Sequence, residues 1–153
     1  ALSGNQIDTI GTDHVANQLK LKLDGEDVWG ALAGFPGIGT VLPILLNDGV
    51  NQNKITLEQF VSFTSTNAAK IFGMHPQKGT LEKNSDADIT IIDLKKEKKV
   101  TSELFGGFSD YIVYEGRNLK GWPVKTIVRG EVVTDNFEVI GKLGHGKLVE
   151  RKI

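Results

Sequence analysis

The sequence predicts an α/β protein with helices in its front half and strands in its back half. Three observations carry this. Thr56-Leu57-Glu58-Gln59 has capping-box spacing and opens an apolar run at helical intervals. Ile89-Thr90-Ile91-Ile92 and residues 124–133 are rich in β-branched side chains and bounded by turn residues. Met74-His75-Pro76 separates the two characters, so the halves join near residues 73–80.

In chain order, Ile7-Asp8-Thr9-Ile10-Gly11-Thr12 reads as a short strand ending on the polar pair Asp13-His14. Residues 15–39 show little periodicity. Within them, Gly30-Ala31-Leu32-Ala33-Gly34-Phe35-Pro36-Gly37-Ile38-Gly39 reads as a long loop. Its small side chains allow close backbone approach to a ligand, or simply make turns. Thr40 stands where a cap would open the next helix, through Val41, Leu42, Ile44, Leu45 and Leu46. Pro43 falls in the first turn, where a missing N–H costs little. That helix is apolar nearly all round, which predicts burial. After the capping box, Leu57, Phe60, Val61 and Thr64 share one helical face. Ser65-Thr66-Asn67 restarts a short helix over 68–72, and Gly73 is placed to end it.

In the back half, Lys78-Gly79-Thr80-Leu81 and residues 86–93 are turn-plus-strand signals. Lys95-Lys96-Glu97-Lys98-Lys99 predicts an exposed turn. Residues 104–120 read as an irregular connection. Residues 124–133 alternate as one strand, which Thr134-Asp135-Asn136 turns into a second over 137–140. The tail, 141–153, is basic and Gly-rich.

The composition narrows the function. The 153 residues carry 18 Lys+Arg against 19 Asp+Glu, a net charge of −1. That balance argues against a nucleic-acid surface or a polybasic membrane surface. With no cysteine, there is no disulfide framework, thiolate metal site or Cys nucleophile. No apolar run approaches the roughly 18 residues of a membrane span. A secretory leader would need a basic start and an apolar core, and residues 1–10 have neither. A cytoplasmic location is the resulting expectation. The one methionine is Met74, so the expectation is a chain trimmed, processed or cut from something longer.

Asp13 is the best candidate for chemistry. A carboxylate at a strand's C-terminal end, followed by a small-residue loop, is a common catalytic placement in barrels and open sheets. An Asp that caps the following turn is the plainer alternative. His14, His75 and His145 show no metal-ligand spacing, and zinc catalysis needs three protein ligands. His75 and His145 therefore read as turn or surface residues. No G-x-S-x-G elbow, P-loop or dinucleotide fingerprint is present. Trp29 and Trp122 read as packing residues.

The order of motifs resembles the cyclic amidohydrolases: hydantoinases, dihydropyrimidinases, dihydroorotases and allantoinases. It runs from Gly11-Thr12-Asp13-His14 through Ala33-Gly34-Phe35-Pro36-Gly37-Ile38-Gly39-Thr40 to Thr64-Ser65-Thr66-Asn67-Ala68-Ala69-Lys70-Ile71-Phe72-Gly73. It continues through Lys78-Gly79-Thr80-Leu81, Ser85-Asp86-Ala87-Asp88-Ile89 and Tyr114-Glu115-Gly116. It closes with Gly121-Trp122-Pro123-Val124, Val128-Arg129-Gly130-Glu131-Val132-Val133 and Gly144-His145-Gly146. Each piece is weak alone; their order and spacing resemble the C-terminal third of such an enzyme.

The resemblance implies a TIM-barrel hydrolase with two divalent metals, usually zinc, bridged by a carboxylated lysine and a hydroxide. It places Asp13 on the family's metal-ligating Asp, which also moves a proton to the leaving amide nitrogen. It places Ala33 and Gly34 on backbone that hydrogen-bonds the substrate ring. Residues 1–75 would end the barrel domain, 76–140 would form part of a small β-sandwich, and 141–153 would be a tail. A barrel takes roughly 250 residues, so the resemblance implies a fragment that lacks most metal ligands and is inactive alone. The implied partners are a small cyclic amide, further copies of the chain in a homo-oligomer, or the missing N-terminal part. A non-catalytic scaffold relative is the alternative. Dihydroorotases commonly read D-H-A-P-H, whose last His helps hold a substrate carboxylate. Here the run is Asp13-His14-Val15-Ala16-Asn17, and Asn17 supplies no cation.

Overall fold

Short helices fill the first half and one antiparallel sheet the second in the computed structural model, which describes residues 1–25 and 27–151. α1 spans Leu19–Lys22. α2 spans Val41–Ile44 and continues as a π-helical segment over Leu45–Val50. α3 spans Leu57–Val61, a second π segment covers Ser62–Thr66, and α4 follows at Asn67–Ile71. β1 (Ile89–Lys99), β2 (Asn118–Val128), β3 (Glu131–Asp135) and β4 (Glu138–Val139) lie side by side in that order.

The capping box forms as its spacing predicts. Gln59 N–H donates to Thr56 Oγ1 at 3.2 Å, and Thr56 N–H donates to Gln59 Oε1 at 3.0 Å. Two otherwise orphaned amides are satisfied together. The buried face differs from the expected one. Phe60 and Phe63 are buried, whereas Leu57 and Val61 are exposed. The π segment is the cause. Thr64 Oγ1 donates to the Phe60 carbonyl at 2.8 Å, and such back-bonding loosens the regular ladder. The wider turn then brings Phe63 inward in place of Val61. Thr40 stands at the start of α2 but does not cap with its side chain; its hydroxyl turns back to the Gly37 carbonyl at 3.0 Å. Of this apolar helix, only Pro43 and Leu46 are fully buried.

Three strand expectations are corrected. Residues 7–12 form no strand; among the described residues the segment finds no ladder partner, and it is held instead by bonds from Ile10 N–H to the Phe63 carbonyl and from Asn67 Nδ2 to the Asp8 carbonyl. The run Lys95–Lys99 is not a turn but the end of β1, with alternate side chains outward. Its pairing resumes at Glu97 opposite Lys120, after a register shift beyond Asp93. Pairing supplies the partner that a charge-based reading omits. Residues 124–133 are two strands, not one. Arg129 (φ 48°) and Gly130 (φ 82°) form a two-residue left-handed turn between β2 and β3. That geometry matches the right-handed twist of a hairpin. β2 also begins earlier than expected, at Asn118.

Two apolar clusters hold the fold. Leu46, Ile55, Phe60 and Phe63 pack together, with Ile10, Leu42 and Ile92 against them. Val100, Ile112, Leu119 and Trp122 form the second, with Ile44, Phe105 and Phe137 alongside. Trp122 packs as expected, but Trp29 is 89% exposed. It sits on a tight turn in which Asp27 Oδ1 accepts from the amides of Trp29 and Gly30. That turn leaves its ring outside either cluster.

The halves are stitched by polar bonds over an apolar seam. Arg117 Nη2 reaches both carboxylate oxygens of Asp48, at 3.0 and 3.1 Å. Asn51 Nδ2 donates to the Lys120 carbonyl, and Lys120 N–H donates to Asn47 Oδ1. Between them Gly121 (φ 99°) lies against Leu46.

Candidate active site

Asp13 lies in an irregular segment with φ 45°, a left-handed conformation uncommon for a residue with a Cβ. Asp tolerates it better than most side chains. Its carboxylate is exposed and bonds to no described residue. On either side, the chain is anchored to the small-residue loop. Thr12 lies beside Gly37, where an added Cβ would come 3.6 Å from Thr12 Cβ. His14 Nδ1 accepts from the Gly37 amide at 3.0 Å and the Ile38 amide at 3.4 Å. Acceptance at Nδ1 places the ring proton on Nε2. Val15 N–H donates to the Phe35 carbonyl at 3.1 Å.

Ala33 and Gly34 are thereby brought to the corner that carries Asp13. Gly34 has φ 86°, and an added Cβ would fall 2.3 Å from Val15 Cγ2, so only glycine fits. The carbonyls of both residues are engaged within the chain. Ala33 O accepts from Asn17 Nδ2 at 3.5 Å, and Gly34 O accepts from Lys22 Nζ at 3.0 Å. Lys22 also donates to Leu32 O at 2.7 Å and stands 4.0 Å over the Phe35 ring. The amides of Ala33 and Gly34 donate to no described residue, which leaves two N–H groups for an acceptor from outside.

Asn17 is buried, and its role differs from that of a substrate-binding cation. Its Oδ1 accepts from the Tyr111 hydroxyl at 2.6 Å. Asp110 Oδ1 accepts from Leu19 N–H at 2.8 Å, at the start of α1. Residues 110 and 111 of the β1–β2 connection thus clasp residues 17 and 19. Burial and the Asp110 charge raise the Tyr111 hydroxyl above its ordinary pKa of 10.0, which keeps it a donor. A cavity of about 170 Å³ lies between the connection and the loop, lined by His14, Ile38, Phe105, Phe108 and Tyr111. Ser109 Oγ beside it is buried without a partner among the described residues.

The densest charge cluster lies elsewhere and is structural. Lys78 Nζ meets Asp86 at 2.8 Å and also contacts Asp88, whose other oxygen accepts from Arg129 N–H at 2.8 Å. Gln77 Nε2 adds a bond to Asp86. Lys78 and Gln77 together hold Asp86 below the usual carboxylate range. Burial works against the Asp88 charge, but Lys78 and the Arg129 amide outweigh it and lower that group too. Burial likewise opposes the Lys78 charge, and its two carboxylate partners raise it overall. The Lys78-Gly79-Thr80-Leu81 and Asp86-Ala87-Asp88 motifs are therefore a brace joining the turn after α4 to β1. His145 is also structural: its Nε2 lies 3.0 Å from the Val128 carbonyl.

The amidohydrolase family model matches residues 1–133. The chain belongs to the amidohydrolase family. It is 41% identical over 152 residues to an L-hydantoinase of Paenarthrobacter aurescens, covering 99% of this chain and 33% of that protein. It is 40% identical over 135 residues to a dihydroorotase of Methanosphaera stadtmanae, covering 88% and 30%. The structure of a dihydropyrimidinase from Brevibacillus agri superimposes with a TM-score of 0.94 at 37% identity, covering 99% and 33%. This amidohydrolase chain spans about a third of the length of the relatives it matches.

One test of metal binding rests on the donor set. Asp13 offers a free carboxylate, a ligand type that zinc accepts alongside histidine. Among the described residues, no three metal-ligating side chains come together. Asp13 therefore suits one position of a ligand set and does not make a site alone. The sequence singles out Asp13, Ala33 and Gly34 as candidates and gives no sign of Lys22 and Tyr111, which bond to the same corner. Tyr111 and Asn17 are 94 positions apart, a pairing that no local spacing reveals.

Proposed function

We propose that this chain supplies part of the active site of a metal-dependent hydrolase that opens a cyclic amide at its C–N bond. It corresponds in this reading to the end of a TIM barrel and part of a β-sandwich, with most metal ligands contributed from outside it. The observation that carries the reading is the identity of 41% with an L-hydantoinase over 99% of the chain. Asp13 fits as the carboxylate of that site. When bound, two divalent ions, zinc by preference, would polarise the scissile carbonyl and acidify the attacking water. Asp13 would hold one ion and carry a proton from the water to the leaving nitrogen. The Ala33 and Gly34 amides would donate to the ring carbonyl, close backbone approach being possible because neither side chain intervenes. Alone, the chain would not turn over substrate.

A hydantoin, dihydropyrimidine or dihydroorotate ring is the small-molecule partner. The buried, committed Asn17 weighs against a substrate carboxylate held at that position. Assembly with further copies or with the N-terminal part of the same protein completes the reading, and the cysteine-free sequence suits the cytoplasm. The protein produced from its own gene provides the test, with intact mass, bound metal and hydrolysis of hydantoin, dihydrouracil and dihydroorotate measured together. About two divalent ions per chain with ring opening supports the reading. A folded, metal-free protein that opens none of the rings would make it a scaffold relative instead.

A further inference from the structure

We propose that Tyr111 is a positioning residue for the Ala33–Gly34 backbone and acts through Asn17. This rests on the reading of Ala33 and Gly34 as ring-binding backbone. The bonds run in series: Tyr111 hydroxyl to Asn17 Oδ1 at 2.6 Å, then Asn17 Nδ2 to the Ala33 carbonyl at 3.5 Å. Asn17 is 6% exposed, so water competes little for either bond. An amide side chain rotates about its last bond, and fixing its oxygen fixes where its NH2 points. The Tyr111 hydroxyl therefore orients the donor that meets Ala33. The second bond, at 3.5 Å, is the weaker link of the series.

Neighbouring contacts keep Tyr111 in place and aim the rest of the loop. Asp110 holds the Leu19 amide at 2.8 Å, so the β1–β2 connection grips the chain on both sides of Gln18. Phe105, from the same connection, lies against Gly39: an added Cβ there would come 2.3 Å from the ring. Phe105 stacks on buried Trp122 with centroids 6.5 Å apart. The loop thus rests on the sheet's core at its far end and on the Tyr111–Asn17 pair at its near end. Backbone groups that bind the ring act on ground state and transition state alike. Their misplacement raises KM and leaves kcat nearly unchanged.

The experiment uses the protein produced from its own gene and the variants Tyr111→Phe, Asn17→Ala and the double variant. Tyr111→Phe removes one oxygen and keeps the ring. Asn17→Ser gives a milder lesion at the second position should Asn17→Ala fail to fold. Kinetics on the best cyclic-amide substrate and amide hydrogen exchange over residues 32–39 are read together. Expected for Tyr111→Phe is a KM raised about 3- to 10-fold with kcat within about 2-fold, and loop exchange faster by a similar factor. Adding Tyr111→Phe to Asn17→Ala should change little more, because the two act through one path. Unchanged exchange and KM in a folded Tyr111→Phe variant would overturn the proposal, as would fully additive effects. If the wild type opens no ring but loop exchange still follows Tyr111, the positioning stands and the functional reading falls.

Discussion

Gly121 and Leu46 touch so closely that a Cβ on Gly121 would come 2.8 Å from Leu46 Cβ. Gly121 also has φ 99°, so a side chain there is strained whatever the space. Leu46 is fully buried at the centre of the helical cluster and cannot yield. Gly121→Ala is expected to destabilise the protein by about 3 kcal/mol, from overpacking and backbone strain together. Urea unfolding checks this, and a variant as stable as the wild type would show that the seam can relax.

The Lys78 brace predicts how stability responds to pH. Asp86 and Asp88 are lowered in the folded state, so they stabilise above the unfolded carboxylate pKa of about 3.9. As pH falls below that value the unfolded chain takes up protons that the folded carboxylates still refuse, and stability declines. It is lost once pH passes the lowered folded values. Lys78 is raised, so its contribution is complete below about 10.4 and is lost as pH climbs through the raised folded value. Lys78→Met should flatten both limbs in melts run from acid to alkaline pH. An unchanged acid limb would remove the brace from the account.

Ser109→Ala is expected to stabilise the protein. Its hydroxyl is buried without a partner among the described residues, and an unmet buried group costs about 1–3 kcal/mol. A gain near 1 kcal/mol in denaturant unfolding fits this. A loss would show that the hydroxyl finds a partner in solution.

Asp13→Asn preserves tolerance of φ 45° while removing the charge. In the protein produced from its own gene, ring opening should fall about 10²- to 10⁴-fold, the usual contribution of a positioned proton carrier. The melting temperature should stay nearly unchanged, since the carboxylate bonds to no described residue. Near-normal turnover would take Asp13 out of the reaction.

Much of the fold was legible where the signal was local. Thr56 and Gln59 are three positions apart, and their box forms as read. Gly73 ends α4 with φ 68° as its position suggests. Reading failed where a distant partner decides. Residues 7–12 have strand composition but no ladder neighbour, while Lys95–Lys99 looks like a solvated turn and pairs with β2. The hairpin at Arg129-Gly130 was missed because β-branched residues flank it on both sides and mask the turn. At the candidate site, Asp13 and the glycines of the loop were visible as residue types. The bonds that arrange them were not, because Tyr111 and Lys22 belong to no motif.

The bonds that join the helices and the loop to β2 and the β1–β2 connection span 69 to 94 positions. Contacts of that reach reward the chain only after large loops have closed, which slows folding. The capping box and the hairpins can form early on their own segments. Docking at the Gly121 seam and the Tyr111 clasp must come late. The loop that would meet a substrate is therefore among the last parts to be ordered and the first to be released when the chain opens.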